Sequence, residues 1–237
     1  TADAAAVDAG LRAYMLRVYN WMASGLLLTG IVAMLVVSVP SVTALFYQAV
    51  PTASGRMVMA PTILFWIAAL SPLAFMLVLM FGINRLSKSA VQALFWAFCV
   101  CMGASLSNLA FRYTGTSIAS TFFVTAGMYA AVSLYGYTTK ADLTRMGSFL
   151  LMGLIGIIIA GIVNIFMQSS ALQFAISVIG VIVFLGLTAY DTQRIKADYI
   201  EYAYAEGTDE AGKRSALDAL TLYLNFINLF QFLMQLM

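Results

Sequence analysis

The chain has 237 residues, 62% of them hydrophobic and only 9% charged, with a formal net charge of +2 and a mean hydropathy of +0.93. That balance excludes an ordinary soluble domain and points to an integral membrane protein. The basic residues are scattered in pairs rather than gathered on one face, so a nucleic-acid role has no support.

Residues 7–20 place Val7, Leu11, Tyr14 and Val18 on one helical face, with Asp8 and Arg12 off it. This pattern predicts a short interfacial helix. Asp3 and Asp8, and the long apolar run that follows, argue against a cleaved signal or transit peptide. Seven apolar stretches then follow at 21–39, 62–82, 91–111, 120–138, 148–168, 174–192 and 216–237. Each is long enough to cross a hydrocarbon core of about 20 helical residues. The lack of alternating strand patterns predicts α-helices rather than a barrel. The expected fold is an all-α membrane protein, one seven-helix domain using residues 1–237.

Arg12 and Arg17, then Arg85 and Lys88, Lys140 and Arg145, and Arg194, Lys196, Lys213 and Arg214 fall on one side of these spans. Only Arg56 and Arg112 fall on the other. The positive-inside rule then predicts a cytosolic N-terminus and a C-terminus on the far side.

Polar side chains within spans should face the bundle or a wet cavity. On the sixth span Gln173, Ser177, Gly180, Thr188 and Asp191 share one stripe. On the seventh, Asp218, Thr221, Asn225, Asn228, Gln231 and Gln235 do the same, making it the most polar span and the one expected at the centre. The fifth carries the small-residue stripe Gly153, Gly156, Ala160, Asn164, which would let helices approach closely. The third carries Cys101, Ser105, Asn108 and Arg112 on one side. Cys99 and Cys101 point apart on that span and read as small apolar packers.

Asp191 and Asp218 are the only charged residues inside a span. A carboxylate there costs a few kcal/mol unless paired or hydrated, so the two acids are the first candidates for function. Topology puts both at similar depth on the cytosolic side, with Asn225 two turns further in and Arg85 closing the second span. Asp191, Asn225, Asp218 and Arg85 are therefore expected to converge on one cytosolic-side cluster. Asn228, Thr188, Asn108 and Asn164 form a secondary polar lining.

There are no histidines, which removes Ser-His and Cys-His catalysis and most transition-metal sites. No lysine lies in a span, and no Gly-Lys-Ser/Thr loop is present. The acids of the sixth loop (Asp198, Glu201, Glu206, Asp209, Glu210) lack the spacing of a calcium-binding loop and read as a solvated connection. Tyr190-Asp191 followed by Asp218 fits an intramembrane aspartyl protease only loosely, because Asp218 lies in Ala-Leu-Asp-Ala rather than Gly-x-Gly-Asp. The chain is read as a non-enzyme without a resident cofactor.

Several segments together resemble the Bax inhibitor-1 family: the run 135–143 (Tyr-Gly-Tyr-Thr-Thr-Lys-Ala-Asp-Leu), the span ending 189–193 (Ala-Tyr-Asp-Thr-Gln) and 222–230 (Leu-Tyr-Leu-Asn-Phe-Ile-Asn-Leu-Phe). Residues 11–19 look like those of its bacterial members. The resemblance implies seven helices with the last one surrounded, and a pH-sensitive calcium leak across the bacterial inner membrane. It implies that Asp191 matches one acid of the family's sensor pair, while Asn225 replaces the other. Arg85 matches a family arginine. An Asp–Asn pair has no like-charge repulsion, so the pH response is expected to be weaker or to move to more acidic conditions. Calcium prefers six to eight oxygens, so Asp191 with Asn225, Asn228 and water implies a weak, transient site. The alternative implied by bacterial relatives is a non-conducting accessory protein, binding the membrane protease FtsH or another membrane complex.

Overall fold

The computed structural model describes residues 2–52, 57–82, 85–203 and 208–237. Arg56 and Glu206 lie outside them. Helices dominate: α1 (Ala2–Ser38), α2 (Pro40–Phe46), α3 (Ile63–Gly82), α4 (Lys88–Leu106), α5 (Leu109–Arg112), α6 (Gly115–Thr138), α7 (Thr144–Met167), α8 (Ser170–Asp198) and α9 (Thr208–Leu236). Strands β1 (Tyr47–Pro51) and β2 (Met57–Pro61) and a π-helical turn (Tyr199–Ala203) complete the described elements. Among the described residues, six helical segments are long and apolar enough to cross a membrane, and α3 holds a further apolar stretch, Ile63–Leu79.

The apolar surface confirms the medium. On α7, Phe149, Met152, Ile155, Ile159, Ile162 and Phe166 are all exposed. A water-soluble protein rarely shows a contiguous apolar face of that size. The polar groups Asn164, Ser177, Thr188, Asp191 and Asn225 are buried instead.

Two elements differ from the sequence expectation. Residues 7–20 do not form a separate helix; they are the first turns of α1, which runs unbroken to Ser38. The apolar periodicity simply continues, and neither Gly nor Pro interrupts it enough to stop the helix. The third span, expected at 91–111, runs as Lys88–Arg112, with a turn inside it where the Ser107 hydroxyl donates to the Ala104 carbonyl at 2.6 Å before α5. The first long connection folds into an antiparallel hairpin pairing Tyr47 with Pro61 and Pro51 with Met57.

The chain packs as two compact units. One comprises Arg17–Thr114 and Gly207–Ala219. Its core gathers Val36, Tyr47, Phe65, Ala68 and Ala104. The Tyr47 hydroxyl lies 2.8 Å from that of Ser107. Burial pushes the Tyr47 phenol above its ordinary range, opposed by that hydrogen bond and by the positive charge of Arg112. Close approach of α1 and α4 is permitted by Gly25, whose missing side chain leaves room for Phe95 and Cys99. Cys99 and Cys101 are both free thiols, the first buried.

The other unit comprises Thr1–Leu16, Gly115–Glu206 and Leu220–Met237. Here Tyr14 of α1 stacks at 4.9 Å on Tyr199 of the π turn. The face of α7 that packs is set by Gly147, Leu150, Ile157 and Asn164. Of the expected small-residue stripe, Gly153 meets Val183 of α8, but Gly156 faces open space. One residue is about 100° of helix, and Gly156 lies that far round from Ile157. Along α9, Leu222, Tyr223, Asn225, Phe226, Ile227, Leu229 and Phe230 are all buried. No position from Thr221 to Phe230 is exposed, as befits a helix inside a bundle.

The turn between α7 and α8 carries local strain. Gln168 sits at φ 50° in the left-handed region, where an L side chain is unfavourable. The Asn164 amide oxygen accepts the Ser169 N–H at 3.0 Å, and the Ser169 hydroxyl accepts from Leu172 N, capping α8. Gln168→Gly is expected to stabilise the protein by about 0.5 kcal/mol, read by thermal melting in detergent.

Candidate functional site

The three segments singled out in the sequence meet in one place. Gly136 of α6 packs directly on the backbone of Ala189 of α8, where a Cβ would overlap the Ala189 carbonyl. Backbone against backbone leaves nothing flexible to yield. Gln193 then clamps the connection between α6 and α7: its amide donates to the Ala141 carbonyl at 2.8 Å, and its oxygen accepts the Leu143 N–H at 2.9 Å. Lys196 donates to the Tyr137 carbonyl at 2.9 Å and lies over the Tyr137 ring. In the same connection Asp142 accepts the Thr144 N–H at 2.9 Å. Hydrogen bonds from the Thr144 side chain and backbone hold the Asp142 carboxyl below its ordinary range. A depressed carboxyl contributes stability above its unfolded value and loses it as the pH falls through the folded one, here on the acid side of about pH 4.

These contacts fix the C-terminal end of α8, and that end carries Asp191. Its carboxylate is buried, 6% exposed, inside a span. The Asn225 amide of α9 donates to Oδ2 at 2.8 Å. The Arg194 guanidinium pairs with Oδ1 at 3.0 Å, one turn along α8. The two contacts differ in weight. Asn225 is itself buried, 5% exposed, and a hydrogen bond to a charged group contributes about 1.5–3 kcal/mol. That is comparable to the cost of about 2.5–3.5 kcal/mol for an acid inside a span. Arg194 is 40% exposed, so its pair is screened and worth about 1 kcal/mol or less. Asn225 anchors the carboxylate; Arg194 is the looser partner.

The remaining expected residues are placed as follows. Thr188 is fully buried one turn before Asp191, its hydroxyl donating to the Phe184 carbonyl at 2.7 Å. Asn228 donates to the Leu224 carbonyl at 2.8 Å. Asn164 joins a separate polar cluster, donating to Gln173, whose amide reaches Gln235 of α9 at 2.6 Å. Asp218, Arg85 and Asn108 belong to the other compact unit. Asp218 is half-buried on α9, two turns before Asn225, and Arg85 is exposed after α3. Among the described residues, no three acids, histidines or cysteines come together as a metal site.

Arg194 was read from the sequence only as a topology charge. Its spacing from Asp191, three residues on one helix, was the available signal. Tyr190 is a further supporting residue: its ring covers Gly147 and lies 5.9 Å from the Arg194 guanidinium carbon, within cation–π range. Gly136→Val is expected to force α6 from α8 and destabilise the protein by about 1–3 kcal/mol. Thermal melting would read that loss, and Gly127→Val, facing open space on the same helix, is the control that should melt like the parent.

The profile of the family described as an inhibitor of apoptosis-promoting Bax1 matches residues 11–237. The chain belongs to the Bax inhibitor-1 family. Relatives within it cover almost the full length. An uncharacterised protein of Rickettsia prowazekii is 49% identical over 229 residues, covering 96% of this chain and 90% of that protein. One from Caulobacter vibrioides is 48% identical over 230 residues, 96% of this chain and 89% of its own. The Escherichia coli inner membrane protein YbhL is 45% identical over 227 residues, 96% of this chain and 92% of its own.

Proposed function

We propose that this protein is a calcium or cation leak pathway of the bacterial inner membrane, with Asp191 as the cation-attracting group and its contacts to Asn225 and Arg194 as the closed state. The observation that supports this reading most is the buried Asp191 carboxylate, held at 2.8 Å by Asn225 of the neighbouring helix. A purely structural contact between α8 and α9 could use two amides at lower cost in lipid. In the closed arrangement both carboxylate oxygens are occupied, so a cation has no free oxygen to approach. When the half-exposed Arg194 swings away, one oxygen becomes free. Calcium takes six to eight oxygens, so one carboxylate with water and amides makes a transit site rather than a store. The inner-membrane location rests on the relative named for it, and the cytosolic N-terminus on the distribution of basic residues.

Calcium flux into proteoliposomes holding the purified chain alone, followed at several pH values, tests the proposal. Flux above protein-free vesicles supports it. No flux at any pH, with the chain co-purifying with another membrane complex such as one containing FtsH, would replace it by the accessory reading. That reading draws on the amide at position 225.

A further inference from the structure

The unit containing Arg17–Thr114 holds an open cavity of about 670 Å³ between the hairpin, α3 and the end of α4. Its walls are apolar where Met57, Phe65 and Trp66 line it. One edge is polar, formed by Ser105, Asn108 and Arg112. A volume of this size is that of a ligand site rather than a packing defect.

Charge sets the occupant. No Asp or Glu occurs anywhere in residues 9–141. The acids of this unit lie on α9, whose first turns meet α4 at its start, where Gly212 touches Lys88. Arg112 follows the opposite end of α4, roughly 28 Å of helix away. Among the described residues no Asp or Glu side chain of this unit therefore reaches Arg112, and a lipid phosphate can supply its counter-charge. Trp66 and Met57 are also largely exposed, and the apolar wall runs on into the exposed Leu70 and Leu73 of α3. That path suits a hydrocarbon chain leaving the cavity along the lipid-facing side of a helix.

We propose that this cavity is a binding site for an anionic phospholipid, with the phosphate on Arg112, Asn108 and Ser105 and the acyl chains against Met57, Phe65 and Trp66. Arg forms the forked hydrogen bonds that phosphate oxygens accept. An amide and a hydroxyl supply the remaining donors. A soluble phosphate ester would use the polar edge alone and leave the apolar walls wet.

Native mass spectrometry of the detergent-purified protein tests this against phosphatidylglycerol, phosphatidylcholine and glycerol phosphate. Phosphatidylglycerol should be retained in preference to phosphatidylcholine, and glycerol phosphate should not compete at equal concentration. Arg112→Gln, at an exposed position, should weaken retention by about ten-fold, one charge-assisted contact to phosphate. Arg17→Gln, an exposed arginine of α1 outside the cavity, should leave it unchanged. Met57→Asp should abolish it by placing a like charge at the rim. Equal retention of both lipids, competition by glycerol phosphate, or unchanged binding in Arg112→Gln would each overturn the proposal. Circular dichroism of each variant shows that its helices are intact.

Discussion

Arg194→Gln is expected to raise calcium flux at neutral pH by about five-fold, while Asp191→Ala abolishes it. The two residues are the ends of one 3.0 Å pair, yet opposite outcomes follow from their roles. Removing the guanidinium takes away a closing contact worth about 1 kcal/mol, the energy of a five-fold shift between closed and open states. The carboxylate stays behind to attract the cation. Removing the carboxylate eliminates the attracting group itself, whatever Arg194 then does. Folding should survive both changes. Arg194 is 40% exposed on its side chain, and its loss leaves Asp191 hydrogen-bonded to Asn225. Asp191→Ala strands the Asn225 amide, a cost of about 1–3 kcal/mol. Thermal melting separates that cost from flux: a chain that melts a few degrees lower but remains folded and silent fits the assignment. Flux from Asp191→Ala equal to the parent's would show that cations pass elsewhere. A fall in flux on Arg194→Gln would show the guanidinium to be part of the pathway rather than its closure.

The pair itself was legible from the resemblance, because both members sit in the segments that carry it; depth alone pointed to Asp218 and put Asn225 two turns further in. Asn225 lies on the polar stripe of the seventh span and meets Asp191 across the α8–α9 contact. The cation beside them was not legible, because a guanidinium two residues past a span reads first as an inside-loop charge. Topology and the resemblance both point to Arg85 instead. Gly136 and Gln193 were inside quoted segments, but a sequence does not reveal that one meets a backbone and the other clamps a connection. The hairpin was missed for another reason. Its five-residue strands carry Pro51 and Pro61 and little alternation of polarity, so nothing in the pattern distinguishes them from an apolar loop. The unbroken α1 was missed because a change from amphipathic to uniformly apolar character resembles a boundary between helices, although the backbone needs no break there.

Asn225→Asp is expected to give flux a steep pH dependence that the parent lacks. In the parent, the atom facing Asp191 Oδ2 is an amide nitrogen that donates at 2.8 Å. An amide does not titrate, so only Asp191 can change charge within the contact, and the response is shallow. The substitution puts a second carboxyl about 3 Å from the first, and two such groups share one proton and titrate as a pair rather than singly. At alkaline pH both ionise and together hold Arg194, so flux falls below the parent's. As pH drops, one proton enters the pair and bridges the two oxygens, Arg194 loses half of its counter-charge, and flux rises. At still lower pH the second proton removes the remaining charge and flux declines again, so a plot of flux against pH should be bell-shaped. Asp218→Asn, two turns away along α9, should leave the parent's shallow curve in place. A flat profile in Asn225→Asp, together with a changed one in Asp218→Asn, would move the working pair to Asp191 and Asp218 and remove Asn225 from the mechanism.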